Sequence, residues 1–113
     1  RVLFRSAIRA GMHDTTNAPL IVPGFAGTAY GSLRPYVLDM AGKTGTAEFE
    51  GPRDAKGNLP THALFVGYAP YQDPRIAVAI FMFGAGEGSE TAAPIAGEVI
   101  RAYLFGTGAT AVE

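Results

Sequence analysis

The sequence contains no cysteine, carries little charge and has no hydrophobic run long enough to cross a membrane. The absence of cysteine excludes disulfide scaffolds, cysteine nucleophiles and thiolate metal sites. Nine Lys and Arg balance ten Asp and Glu, and the resulting net charge of −1 argues against a nucleic-acid partner. The longest apolar run, over residues 76–86, is too short to span a bilayer, and no signal peptide is expected.

An initiating methionine is also absent, since the first residue is Arg1. Arg1 already lies within a pattern that is typical of a helix. We therefore expect the chain to be a piece of a longer protein. Its 113 residues have room for one domain. The composition, with 48% hydrophobic and 17% charged residues, is that of a globular chain and not of a disordered one.

The hydrophobic pattern predicts one helix at each end of the chain. The first covers residues 1–12, with Gly11 as its stop signal. Its basic stripe of Arg1, Arg5 and Arg9 is interpreted as a solvated surface. The second follows a glycine-rich loop, opens near Pro94 with Ser89 or Thr91 as its cap, and ends at Gly106. Its apolar stripe consists of Ile95, Ala96, Val99, Ile100, Tyr103 and Leu104.

Between the helices, three segments predict strands over residues 36–50, 61–68 and 75–83. Their short connections favour an antiparallel meander. The third strand is apolar on both faces and should be covered on both sides. The predicted fold class is therefore α+β, with the two helices packed on the sheet. We expect residues 1–105 to form one folded segment and residues 106–113 a flexible tail.

The run Gly42-Lys43-Thr44 invites comparison with a P-loop, which would indicate a nucleotide-binding protein. That motif requires another glycine five positions before Gly42, where this chain has Val37. The segment before it is strand-like, so the P-loop interpretation fails.

A strand that faces a cleft explains the same residues better. Such a strand can pair with an extended peptide. Lys43 supplies a fixed positive charge, and Thr44 and Thr46 supply hydroxyl donors suited to a carboxylate. Gly45 allows a ligand to lie close against the backbone.

In its wider context, the run Ala41–Glu48 resembles the Lys-Thr-Gly motif of the class B penicillin-binding proteins, the monofunctional peptidoglycan transpeptidases. The resemblance continues through residues 62–70, 76–83 and 92–94, which look like the family's next two strands and the start of its C-terminal helix. Upstream, Gly27-Thr28-Ala29 and the first helix also have counterparts. Nearly the whole chain is covered, to about Leu104.

The resemblance implies the penicillin-binding transpeptidase and serine β-lactamase-like fold. It also implies a parent enzyme that acylates a serine with peptidoglycan stem peptide and is trapped there by β-lactams. On this chain it implies that Lys43 holds the electrostatics of the site and that Thr44 and Thr46, on either side of Gly45, receive the carboxylate of substrate or penicillin. The Thr46 backbone N–H would be half of the oxyanion hole. No cofactor is expected.

The chain departs from the family pattern in two respects. Position 64 is leucine where the family often has an aromatic residue. More seriously, no Ser-x-x-Lys or Ser-x-Asn is present, since Ser6, Ser32 and Ser89 are followed three positions later by Arg, Pro and Ala. We expect the nucleophile upstream of this chain, and the chain alone to be inactive. The parent would be anchored in the cytoplasmic membrane with this domain outside, without direct membrane contact by this segment.

Two alternatives stay open. One is a related serine β-lactamase or D,D-carboxypeptidase, and the other is a non-catalytic protein-binding module, for which self-association would be one outcome. Other residues suggest weaker roles. His62 is a candidate general base, with a structural role preferred, and His13 is expected to be solvated. The two histidines make a weak case for a metal, and none is predicted. Glu48 and Glu50 are interpreted as solvent-facing, and residues 84–88 as a connection or an anion cradle.

Overall fold

The computed structural model describes residues 2–106 as an antiparallel sheet with helices packed against it. The three strands pair in the order β1-β2-β3, which confirms the predicted α+β class and meander. The predicted tail from Gly106 onward lies outside the described residues except for Gly106 itself. In chain order the elements are α1 (Val2–Asn17), α2 (Tyr30–Leu33), a 3-10 turn (Arg34–Tyr36), β1 (Ala41–Glu48), β2 (Thr61–Ala69), β3 (Ile76–Met82), a π-helical turn (Gly88–Ala92) and α3 (Ala93–Phe105).

Helix α1 continues past Gly11, so the predicted stop at that glycine is wrong. The helix is extended by polar residues that bond to the residue just before β1. Thr16 Oγ1 and Asn17 Nδ2 each donate to the Met40 carbonyl at 2.7 Å, and Thr16 is buried. A glycine inside a helix costs about 1 kcal/mol relative to alanine. These tertiary hydrogen bonds at the last turn offset that cost.

The basic stripe of α1 is not simply solvated, because Arg9 is bound to the protein. Its Nε donates to the Tyr68 hydroxyl at 3.1 Å, and its Nη2 donates to the Tyr71 carbonyl at 2.7 Å. The hydrogen bond that Arg9 donates to the Tyr68 oxygen raises the pKa of Arg9 above its ordinary value. On another side of the helix, the apolar side chains of Leu3 and Phe4 are exposed.

Strand β1 begins at Ala41 and not at residue 36, as the apolar pattern predicts. Residues 34–36 form a 3-10 turn, and Val37 adopts a left-handed conformation with φ of 52°. Helix α3 holds this turn, since Arg101 donates to the Tyr36 carbonyl at 2.8 Å. A tertiary contact therefore overrides the local strand preference of Tyr36 and Val37.

The register of the sheet divides its residues between two faces, because directly paired residues share a face. The strand pairs Thr44↔Phe65 and Phe65↔Ile80 lie on what we call the closed face. The pairs Gly45↔Leu64 and Leu64↔Phe81 lie on the open face. The closed face carries Gly42, Thr44, Thr46, Ala63, Phe65, Gly67, Ala69, Ile76, Val78, Ile80 and Met82.

The core of the molecule lies between the closed face and helices α2 and α3. Phe65 is fully buried, and its ring fills the space above two glycines, since a Cβ atom at Gly42 or Gly67 would overlap it. Helix α3 turns its small residues inward. Ala93, Ala96, Gly97 and Ile100 are buried, whereas Ile95, Val99 and Tyr103 of the predicted stripe are exposed. Gly97 decides this orientation, because it lets the helix approach Tyr36 and Leu33 closely.

The prediction that β3 is covered on both sides is wrong within residues 2–106. On the open face, Phe81 is 60% exposed, and Phe83 just after the strand is 75% exposed. Helix α3 packs on the opposite face, and β3 is the last strand in the sheet order. An edge strand with helices on one face leaves its other face to solvent.

Candidate active site

The predicted site residues, from Lys43 to Thr46, form the second half of β1, which is an edge strand of the sheet. Side chains alternate along a strand, so Lys43 points to the open face while Thr44 and Thr46 lie on the closed face. Lys43 is exposed, and its ammonium donates to the Thr44 carbonyl at 2.8 Å. The strand thus presents a cation on one side of its free edge and two hydroxyls on the other.

The Thr44 hydroxyl lies 3.1 Å from that of Thr28, so the two side chains form a pair of hydroxyls. Thr28 is carried there by a loop that is tied to the end of α1. The amides of Gly27 and Ala29 donate to the carbonyls of Ala18 and Thr15 at 2.9 and 3.0 Å. Thr28 is a site residue that strand spacing could not find, and its only sequence signal was the resemblance of Gly27-Thr28-Ala29.

The Thr46 hydroxyl donates to the Glu87 carboxylate at 2.8 Å and lies 3.4 Å from the Gly88 amide. Gly88 is buried against β1, and a Cβ atom there would overlap the carbonyls of Gly45 and Leu64. Because only glycine allows this approach, the loop before α3 is held directly against the Gly45–Thr46 end of the strand. Glu87 is a site residue that no pattern in the sequence indicated.

The glycine-rich loop uses its amides within the chain. The Gly84 amide donates to His62 Nδ1 at 3.0 Å, the Gly86 amide to the Thr61 carbonyl at 3.1 Å, and the Gly88 amide contacts the Thr46 hydroxyl. These three amides do not converge on one point where an anion could bind. The loop is a connection that is bonded to the sheet, and the anion-cradle alternative is not supported.

His62 packs among aromatic rings, in agreement with the structural role preferred for it from the sequence. Its ring stacks on Phe49 with 4.1 Å between centroids and lies 4.6 Å from the ring of Phe83. Since Nδ1 accepts the Gly84 amide, the neutral ring carries its proton on Nε2. His13, expected to be solvated, instead lies 3.0 Å from the Asp39 carboxylate.

The start of α3 also differs from prediction. Neither Ser89 nor Thr91 caps the helix, since a π-helical turn precedes it and the residue before the helix, Ala92, makes no side-chain capping bond. The Thr91 hydroxyl donates instead to the Glu87 carbonyl at 2.9 Å. Pro94 lies in the first turn of α3 and Gly106 ends the helix, as predicted.

Residues 2–106 contain neither a candidate metal site nor a helix that could span a membrane. No group of three or more His, Asp or Glu side chains there is arranged to hold a metal ion. Within the same residues, no helix combines the length and the apolar character that crossing a bilayer requires.

Known proteins that resemble this chain come from one family. The family model described as "Penicillin binding protein transpeptidase domain" matches residues 6–101. The peptidoglycan D,D-transpeptidase MrdA of Haemophilus influenzae is 33% identical over 112 residues. That alignment covers 92% of this chain but 16% of the relative, so the chain spans a small part of the relative's length.

Solved structures show the same likeness. A Pseudomonas aeruginosa PBP2 in complex with WCK 5153 superposes with a TM-score of 0.67 and 33% identity, covering 92% of this chain and 20% of that one. The ceftriaxone acyl-enzyme complex of M. tuberculosis penicillin-binding protein A gives a TM-score of 0.55 and 33% identity, over 67% of this chain and 18% of that one.

Proposed function

The chain belongs to the transpeptidase domain family of the class B penicillin-binding proteins, and from that membership we propose that it forms one wall of a D,D-transpeptidase active site. In this proposal β1 binds the stem peptide, and the same strand binds β-lactams. The serine nucleophile and its activating lysine come from a segment outside these 113 residues. The parent acts on the outer face of the cytoplasmic membrane.

One observation carries the proposal: the two hydroxyls of Thr44 and Thr46 lie side by side on one face of an edge strand. Lys43, on the other side of the strand, brings a positive charge to the same edge through its hydrogen bond to the Thr44 carbonyl. Two hydroxyl donors and a cation form a suitable environment for a carboxylate. The unpaired edge of β1, as seen within residues 2–106, allows an extended peptide to add as a further strand.

The proposed chemistry is an acyl transfer in two steps. The serine oxygen attacks the carbonyl carbon of the penultimate D-Ala, forming the acyl-enzyme and expelling terminal D-Ala. An amine of a neighbouring stem peptide then attacks the ester and releases the serine. During both attacks the Thr46 amide stabilises the negative charge on the carbonyl oxygen. Loss of one such donor typically costs about 2.7–4 kcal/mol of transition-state stabilisation.

Labelling with fluorescent penicillin tests the proposal. We expect the full-length polypeptide to give a covalent band that survives boiling, and residues 1–113 alone to give none. Lys43→Ala should reduce labelling of the full-length protein, whereas Lys56→Ala, which removes a lysine from the exposed loop between β1 and β2, should not. A boil-resistant band on residues 1–113 would overturn the missing nucleophile, and equal labelling of the two variants would overturn the role of Lys43.

A second candidate, a protein-binding module, is favoured by the exposed aromatic rings of Phe81 and Phe83 on one side of the sheet. Complementation separates the two candidates. If residues 1–113 mixed with the upstream part of the polypeptide restore acylation by penicillin, the chain is a piece of an enzyme. Binding of another protein without such rescue would favour the module instead.

A further inference from the structure

The contact between Thr46 and Glu87 leads to an inference about ligand selection that rests on the proposed function. We propose that Glu87 is a specificity-determining residue, whose carboxylate competes with the carboxylate of the ligand for the Thr46 hydroxyl. In the structure, Glu87 Oε2 lies 2.8 Å from Thr46 Oγ1 and accepts the hydrogen bond that this hydroxyl donates. The position that the proposal gives to a ligand carboxylate is thus taken by a carboxylate of the chain itself.

The competition follows from the chemistry of a hydroxyl. Threonine has a single O–H proton to donate, so the hydroxyl cannot donate fully to two carboxylates at once. The Gly88 amide also donates to this oxygen, from 3.4 Å away. The hydroxyl proton is therefore the group for which Glu87 and a ligand carboxylate compete. A ligand anion that enters must therefore displace Glu87, and it meets a like charge while doing so.

The backbone of Glu87 is well held, so displacement falls to its side chain. Its carbonyl accepts the amides of Glu90 and Thr91, both at 3.1 Å, and the Thr91 hydroxyl at 2.9 Å. The next residue, Gly88, packs tightly on β1. The Glu87 side chain is exposed, and it can rotate into solvent without disturbing the loop.

This arrangement selects against ligands that bear a carboxylate, relative to ligands of the same shape that lack one. Binding of a stem peptide or a penicillin must compensate for the lost Thr46–Glu87 hydrogen bond. A neutral ligand has no carboxylate to bind the Thr46 hydroxyl, so its affinity should not depend on Glu87. Specificity is a difference between two affinities, and Glu87 acts on one of them.

The test compares Glu87→Gln and Glu87→Ala in the full-length protein, with a penicillin and its methyl ester as probes. Glu90→Gln is the matched control, since it removes a negative charge from the same turn, and the structure shows no bond from its carboxylate to Thr46. We expect both Glu87 variants to raise the second-order acylation rate constant for the acid by about two- to fivefold, the range of exposed charge interactions. The ester should be unaffected, and Glu90→Gln should leave both rates unchanged.

Combining Glu87→Gln with Thr46→Val gives the decisive control, because the gain should vanish when the contested hydroxyl is absent. Slower acylation by the acid in both Glu87 variants would overturn the inference, as would an equal change for acid and ester or an equal gain in Glu90→Gln. Thermal unfolding of each variant separates these outcomes from misfolding. If the unsubstituted protein is not acylated by either probe, the proposed function falls and this inference with it.

Discussion

The two faces of the sheet are built from similar strand residues and have opposite environments. The closed face buries Ala63, Phe65 and Ala69 completely against the helices. The open face leaves Val66 and Phe81 about half exposed or more. Both faces are apolar in sequence, so hydropathy alone does not distinguish them. The difference is set by where α3 packs and by the small residues that let it come close.

The candidate site lies along β1, the edge strand at which the closed and open faces of the sheet meet. The first part of β1 is anchored, since Ala41 is fully buried and Gly42 lies beneath the Phe65 ring. The second part is held by side-chain hydroxyls, through Thr44 and Thr46. A rigid strand with exchangeable polar contacts at one end is suited to binding a ligand, since the backbone stays in place when those contacts change.

Phenylalanine on the two faces gives the largest expected contrast. Phe65→Ala should lower the free energy of unfolding by about 3–5 kcal/mol, because it removes a fully buried ring and leaves a cavity. Phe81→Ala, on the paired strand and the open face, should cost less than about 1 kcal/mol. Chemical denaturation measures both. Equal losses would show that the open face is buried in the folded protein, and would remove the contrast between the faces.

Glycines of β1 provide the second contrast. Gly42→Ala should destabilise the chain by about 1–3 kcal/mol, since its Cβ would overlap the Phe65 ring and lie 2.9 Å from the Val66 carbonyl. Gly45→Ala is the control on the open face, where the Cβ would meet the Leu64 Cβ at 3.2 Å. We expect a smaller effect there on the denaturation midpoint. If Gly45→Ala were the more harmful change, the closed face would not be the tightly packed one.

The anchor of α1 gives a smaller effect. Thr16→Val removes a buried hydroxyl that donates to the Met40 carbonyl, and should cost about 1 kcal/mol. Asn17 still donates to the same carbonyl, which limits the loss. Thr15→Val, one position earlier, removes an exposed bond to the Gly11 carbonyl and should be nearly neutral. Thermal unfolding of the two variants checks the order, and the reverse order would contradict the anchoring role of Thr16.

The smallest effect is a pH dependence in the loop between β1 and β2, away from both faces. The Asp54 carboxylate accepts amides of Asn58 and Lys56 at 2.9 and 2.8 Å, and these bonds, chiefly those from Asn58, lower its pKa. A lowered pKa stabilises the folded loop above the unfolded pKa of the group, and this contribution is lost as the pH falls through the folded value.

Amide exchange of Lys56 and Asn58 should therefore become faster, relative to the intrinsic rate, on acidification below the ordinary range of aspartate. Asp54→Ala should make the protection of these amides low at every pH, while the amides of β2 keep theirs. Protection of the loop amides that persists unchanged in Asp54→Ala would contradict the role of this carboxylate.

Local patterns predicted the types of the main helices and strands and one helix end, but missed two other element boundaries. The meander and the end of α3 at Gly106 could be predicted because each depends on neighbours in sequence. The end of α1 and the start of β1 were not, since both depend on bonds to distant residues, Met40 for the helix and Arg101 for the strand.

The site shows the same division. By itself, the sequence determined that Lys43, Thr44 and Thr46 follow one another on a strand, because alternation along a strand is a local property. Only the tertiary structure decided that Thr28 and Glu87 complete the surroundings of those hydroxyls, from positions 16 and 41 residues away. It also decided which apolar face is buried. Both outcomes depend on close approach at glycines such as Gly88 and Gly97, and close approach is a property of packed surfaces that periodicity does not encode.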